Sequence, residues 1–105
     1  MNHVLLLLLA ISVTCTKKPS APKTPLEEGR SLYQTHCTAC HSANPAVDGA
    51  LGPGVAGSSL ELLESRLLHA GYPAGYTPKR PTKVMVALPF LKDKIPALHA
   101  YLNSP

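Results

Sequence analysis

The chain has 105 residues, of which 45 % are hydrophobic and 15 % charged, with eleven prolines, seven glycines and three cysteines. That is enough for one small domain, and a formal net charge of +4 is too modest a bias to choose a partner; no nucleic-acid partner is expected. The prolines and glycines call for short helices and many turns, and a domain of this size buries only a thin core of its own.

Residues Val4 to Val13 form an almost unbroken apolar run that includes five consecutive leucines. It is too short to cross a bilayer, which takes about 20 residues. It has the length of the apolar region of a signal peptide, although Met1-Asn2-His3 lacks the usual cation, so residues 1–14 are expected to direct export. Cys15 follows at once. Ser12-Val13-Thr14-Cys15 resembles a bacterial lipoprotein box, which implies a lipid anchor on Cys15; Ser12 and Thr14 depart from the usual Leu and small residue of that box. Ordinary cleavage after Ala10-Ile11-Ser12 is the rival and leaves Cys15 as a free thiol. Residues 15–24, with their prolines and lysines, read as an extended solvated tether that holds residues 25–105, the folded domain, off a surface.

Thr24-Pro25-Leu26-Glu27 opens the first helix: a capping threonine, Pro at the first helical position and Glu at the third. The helix is expected from Pro25 to Thr35 or His36, with Leu26, Gly29, Leu32 and Tyr33 on one face. A glycine inside a helix costs about 1 kcal/mol relative to alanine. Close approach of a second helix at Gly29 is the natural compensation.

Cys37-Thr38-Ala39-Cys40-His41 follows directly. A Cys-x-x-Cys-His run is the attachment signature of a c-type haem: the two thiols add across the porphyrin vinyl groups and the histidine falls under the iron. A dithiol redox site normally follows a strand, and no strand pattern precedes this run. A structural zinc site needs a second ligand pair, and downstream there are only His69 and His99, far apart. A plain disulfide leaves His41 without a role. Thioether attachment of haem takes place outside the cytoplasm in bacteria, which agrees with export.

With Gly29-x-x-x-Tyr33 ahead of Cys37-x-x-Cys40-His41, the chain resembles the class I cytochromes c. In that family the glycine and aromatic of the first helix meet a C-terminal helix, and Leu98-His99-Ala100-Tyr101-Leu102 is similar to that partner. The resemblance runs from about Leu26 to Leu102. It implies one covalent haem c held by Cys37 and Cys40, His41 as proximal iron ligand, and redox proteins as partners. It also implies that Pro53, in Gly52-Pro53, offers its carbonyl to the other ring nitrogen of His41 and so fixes the tautomer.

Asp48, in the loop between, reads as a solvated charge. Ser58-Ser59-Leu60-Glu61 reads as a second capping box, followed by a stripe of Leu60, Leu63, Leu67 and Ala70, with Gly71 as the stop. His69 in the last turn reads as a dipole partner or surface residue rather than an iron ligand. Residues 72–83 are an irregular loop. With Arg66, its Lys79, Arg80 and Lys83 make four cations, read as solvated charge or as partners for haem propionates or an acidic protein, and its tyrosines are candidate propionate donors.

The resemblance implies Met85 as the distal ligand, a soft thioether that favours ferrous iron. The competing reading of Met85 is a core side chain. The family's usual Met-Pro is Met85-Val86 here. The last helix is expected from Lys94 to Asn103, capped by Asp93, with Ile95, Leu98, Tyr101 and Leu102 buried and His99 exposed.

The expected fold is all-α, the cytochrome c fold of three main helices and long loops around one haem. Two axial ligands leave iron no open position, so the implied function is one-electron transfer in the cell envelope, on the periplasmic side, and not catalysis. The alternative is a five-coordinate haem that binds a small gas or acts on peroxide.

Overall fold

The computed structural model describes residues 11–17 and 21–105. Residues 1–10 and 18–20, which carry most of the expected signal peptide and the middle of the expected tether, lie outside the described residues. Ile11 to Lys17 is exposed and neither helical nor extended into a sheet. Among the described residues no helix is long and apolar enough to cross a membrane.

Helix α1 spans Pro25–His36. Its start is the expected capping box: the Thr24 hydroxyl accepts from Glu27 N–H at 3.2 Å, and the Glu27 carboxylate accepts from Thr24 N–H at 3.0 Å. Helix α2 spans Leu60–His69. Here the expected capping box gives way to a simpler cap. Ser59 accepts from Leu62 N–H at 3.1 Å, while the Ser58 hydroxyl is drawn off to the Val55 carbonyl at 2.6 Å. Leu63 and Leu67 are buried but Leu60, at the first helical position, is exposed. The left-handed residue that ends α2 is Ala70, φ 52°, not Gly71. Its free carbonyl accepts from Arg66 Nη1 at 2.8 Å.

The last helix also differs from expectation. A 3₁₀ helix, Pro89–Lys94, leads directly into α3, Ile95–Leu102. No side chain caps α3, and Asp93 is not its cap. The reason lies in the turn before it: Ile95 N–H already donates to the Lys92 carbonyl, so the first donor is satisfied by backbone, and Pro96 has none to satisfy.

Helices α1 and α3 cross at Gly29. A Cβ added there would lie 2.7 Å from the Ala97 carbonyl carbon and 2.8 Å from Tyr101 Cβ, so only hydrogen fits. One turn on, the rings of Tyr33 and Tyr101 meet with centroids 5.6 Å apart, tilted by 51°. Tyr33, 1 % exposed, donates its hydroxyl to the Ser42 carbonyl just past the Cys-x-x-Cys-His turn. The core is Tyr33, Leu63, Leu67, Leu91, Ile95, Leu98 and Leu102. Two bonds close the loops onto this frame: Leu88 N–H to the Leu67 carbonyl at 2.7 Å, and Gly57 N–H to the Leu102 carbonyl at 2.8 Å.

Candidate functional site

The cysteine run is one tight turn off the end of α1. Cys37 is the C-cap, its N–H bonded to the Tyr33 carbonyl. The Cys37 carbonyl accepts from Cys40 N–H at 3.2 Å and from His41 N–H at 2.9 Å. That turn brings Cys37, Cys40 and His41 to one wall of a cleft of about 270 Å³. Met85 lies on the same cleft, half-buried against the core, and Pro53 lines it too. The structure thus gathers five of the six sequence-derived site residues. The sixth, Cys15, is exposed on the N-terminal segment.

Cys37 and Cys40 are free thiols, not a disulfide. Burial pushes the Cys37 thiol up to about 11, so before attachment to any partner it stays protonated at neutral pH, on an apolar cleft. Tyr33 beside it is pushed up to about 12, by burial first and then by the charges that Cys37 and Tyr101 would carry, so its hydroxyl remains a donor. Among the described residues no three His, Cys, Asp or Glu side chains converge on a metal position, which leaves the zinc reading without ligands.

His41 Nδ1 lies 2.7 Å from the Pro53 carbonyl oxygen. A carbonyl can only accept, so Nδ1 carries a proton and Nε2 is the ring nitrogen left to face a metal. The loop that delivers Pro53 is folded onto His41 itself. Gly52 N–H donates to the Cys40 carbonyl at 2.9 Å, and Gly49 N–H donates to the Gly52 carbonyl at 2.8 Å. A Cβ on Gly52 would sit 2.6 Å from His41 Nδ1, and one on Gly49 2.6 Å from His41 Cα. Both glycines are required by the space that the imidazole and its backbone occupy.

Asp48 is solvated, as the sequence suggests, with its side chain 71 % exposed, but it also has fixed partners. Its carboxylate accepts from Gly54 N–H at 2.7 Å and pairs with Arg80 at 3.7 Å. That backbone bond, aided by the Arg80 and Lys79 charges, holds its carboxyl below the usual carboxylate range. The cations are likewise engaged. Lys79 donates to the Gly54 carbonyl at 2.9 Å and Arg80 to the Gly49 carbonyl at 3.1 Å. Arg66 lies 4.3 Å from the centroid of Tyr72, which stacks on Tyr76. Arg66, Lys79 and Arg80 all border the cleft, while Lys83 is exposed. His69 is exposed and outside the cleft, whereas His99 is half-buried on α3 rather than exposed.

Leu51, Val84 and Val86, 52, 59 and 68 % exposed, line the same cleft. A small domain that leaves branched apolar side chains uncovered around one concavity is built for an apolar occupant. A large flat ring with thiol-reactive edges and a metal at its centre suits a cleft lined by two thiols, an imidazole and a thioether.

The family model described as Cytochrome c matches residues 26–104, and the chain belongs to that family. Its class is that of the class I c-type cytochromes, with one covalently attached haem c, electron transfer as its activity and redox proteins as its partners. Searches of curated proteins and of solved structures return no match to the chain.

Proposed function

We propose that the chain is a one-electron carrier of the cell envelope, with haem c bonded through Cys37 and Cys40 and its iron held between His41 and Met85. The carrying observation is the 2.7 Å contact between His41 Nδ1 and the Pro53 carbonyl, in a cleft that Cys37, Cys40 and Met85 also line. When bound, the haem supplies iron that alternates between ferrous and ferric states. The Pro53 carbonyl fixes the tautomer of His41, directs Nε2 as the donor atom and raises its basicity. Met85 contributes a soft sulfur that favours the ferrous state. With both positions filled by side chains, no place remains for a substrate at the metal.

Export and anchoring belong to the same proposal. Residues 1–14 act as the signal, Cys15 takes a lipid, and residues 15–24 give the domain its reach on the periplasmic side. Cys15 is exposed and ten residues ahead of α1, where modification does not disturb the core.

The ferric spectrum of the holoprotein tests the ligation. Low-spin iron with a weak far-red sulfur-to-iron band is expected. High-spin iron contradicts it and favours the five-coordinate gas- or peroxide-binding alternative.

A further inference from the structure

The Pro53–Gly54 peptide is a single trans amide, whose carbonyl and N–H point in opposite directions. Each end meets a different partner. Its oxygen accepts from His41 Nδ1–H at 2.7 Å, and its N–H donates to Asp48 at 2.7 Å. Carboxylate, amide and imidazole therefore stand in one hydrogen-bonded line that leads to the nitrogen opposite Nε2. A charged acceptor on an amide N–H draws electron density toward the carbonyl oxygen, which makes that oxygen the stronger acceptor. Arg80 holds the line at its outer end: it pairs with Asp48 at 3.7 Å and donates to the Gly49 carbonyl at 3.1 Å. Lys79 secures Gly54 from its other side, at the carbonyl, at 2.9 Å.

We propose that Asp48 is a positioning and tuning residue for the haem iron, acting on His41 through the Pro53–Gly54 amide; this rests on the proposed ligation by His41. The carboxylate is the far end of a carboxylate–amide–histidine relay, comparable in purpose to the carboxylates that orient histidines directly at metal sites. By strengthening the acceptor opposite Nδ1–H it gives the imidazole more anionic character. A more anionic ligand favours ferric iron, so Asp48 lowers the reduction potential. Arg80 keeps the carboxylate seated on Gly54 N–H and connects the loop at residues 72–83 to the proximal side of the iron.

The test compares Asp48→Asn and Asp48→Ala holoproteins with wild type. The measurements are the midpoint potential and, by proton NMR of the ferrous diamagnetic form, the exchange rate of His41 Nδ1–H. Both variants lose the charge, but only asparagine keeps an acceptor for Gly54 N–H. The relay predicts a rise in potential in both, larger in Asp48→Ala. It also predicts His41 Nδ1–H exchange up to about twofold faster in Asp48→Ala, the order of effect expected when one bond of a polarised line is lost and its neighbour weakens, with Asp48→Asn between. Equal rises in the two variants with exchange at the wild-type rate would mean that the charge acts only through space, and would overturn the relay. So would no change in either quantity. Ring-current shifts on the His41 ring protons in the wild type report ligation separately. If they are missing, the ligation and the relay both fall; if they are present and Asp48 is without effect, the relay alone falls.

Discussion

Gly29 on α1 lies against the backbone of Ala97 on α3 with no room for a methyl group, so the crossing of the two helices is set by contact of main chain with main chain. The Cys-x-x-Cys-His turn hangs from the α1 side of that crossing. Tyr33, one turn after Gly29, carries the carbonyl that binds Cys37 N–H, and its hydroxyl reaches Ser42 beyond the turn. Gly29→Ala gains about 1 kcal/mol of helix propensity but must push two backbones apart. Overpacking of that kind costs about 1–3 kcal/mol beyond such a gain. Chemical denaturation of the holoprotein should show a lower midpoint, and an unchanged or higher midpoint would show that the helices adjust freely.

Tyr33→Phe keeps the ring against Tyr101 and removes only the hydroxyl. The Ser42 carbonyl then loses its donor in a part-buried setting, at a cost of about 1–3 kcal/mol. Because the hydroxyl stays protonated up to about pH 12, the loss should be the same at pH 6 and pH 9. A difference that grows between those two values would mean the phenol titrates much lower.

Asp48 makes stability depend on acid. Its carboxyl is held below its ordinary value, so the unfolded chain binds the proton more tightly and the folded state is favoured when the group is ionised. The contribution is fully present above about pH 4, the unfolded value, and is lost as pH falls through the lower folded value. Asp48→Asn should therefore be less stable than wild type at pH 7, with the gap closing on acidification below pH 4. A gap that is constant from pH 7 to pH 2 would contradict the bond to Gly54 N–H.

Met85→Ala removes the only described thioether on the cleft and a half-buried contact with the core. The ferric form should turn high-spin, the potential should fall, and the ferrous form should gain affinity for carbon monoxide. Spectra indistinguishable from wild type would dismiss Met85 as the distal ligand and leave it a core methionine.

Cys15→Ala addresses the anchor. The wild-type protein, expressed with its leader, should sediment with membranes and carry acyl mass, and the variant should appear in the soluble fraction. A wild type that is already soluble and unacylated would remove the lipid from the account.

The helices and most of the cleft were legible because they rest on local chemistry. Thr24, Pro25 and Glu27 announce the start of α1 within four residues, and Cys37, Cys40 and His41 lie within one turn of chain. The close approach at Gly29 was legible as a cost that needed a reason. Asp48 was not, because its partner is a backbone N–H six residues on, and no side-chain pattern marks a loop that closes on its own amide. The start of α3 was obscure for a similar reason: the 3₁₀ turn before it satisfies donors that a side chain would otherwise cap. The cations of the 72–83 loop read as solvated because their acceptors are the carbonyls of Gly49 and Gly54, about 25 to 31 positions away in the chain.

The most direct test is the intact mass of the purified protein, together with alkylation of its thiols under denaturing conditions. The account predicts a coloured protein heavier than its polypeptide by one haem, with Cys37 and Cys40 both resistant to alkylation. A colourless protein of bare polypeptide mass, with both thiols open to reagent, would contradict it.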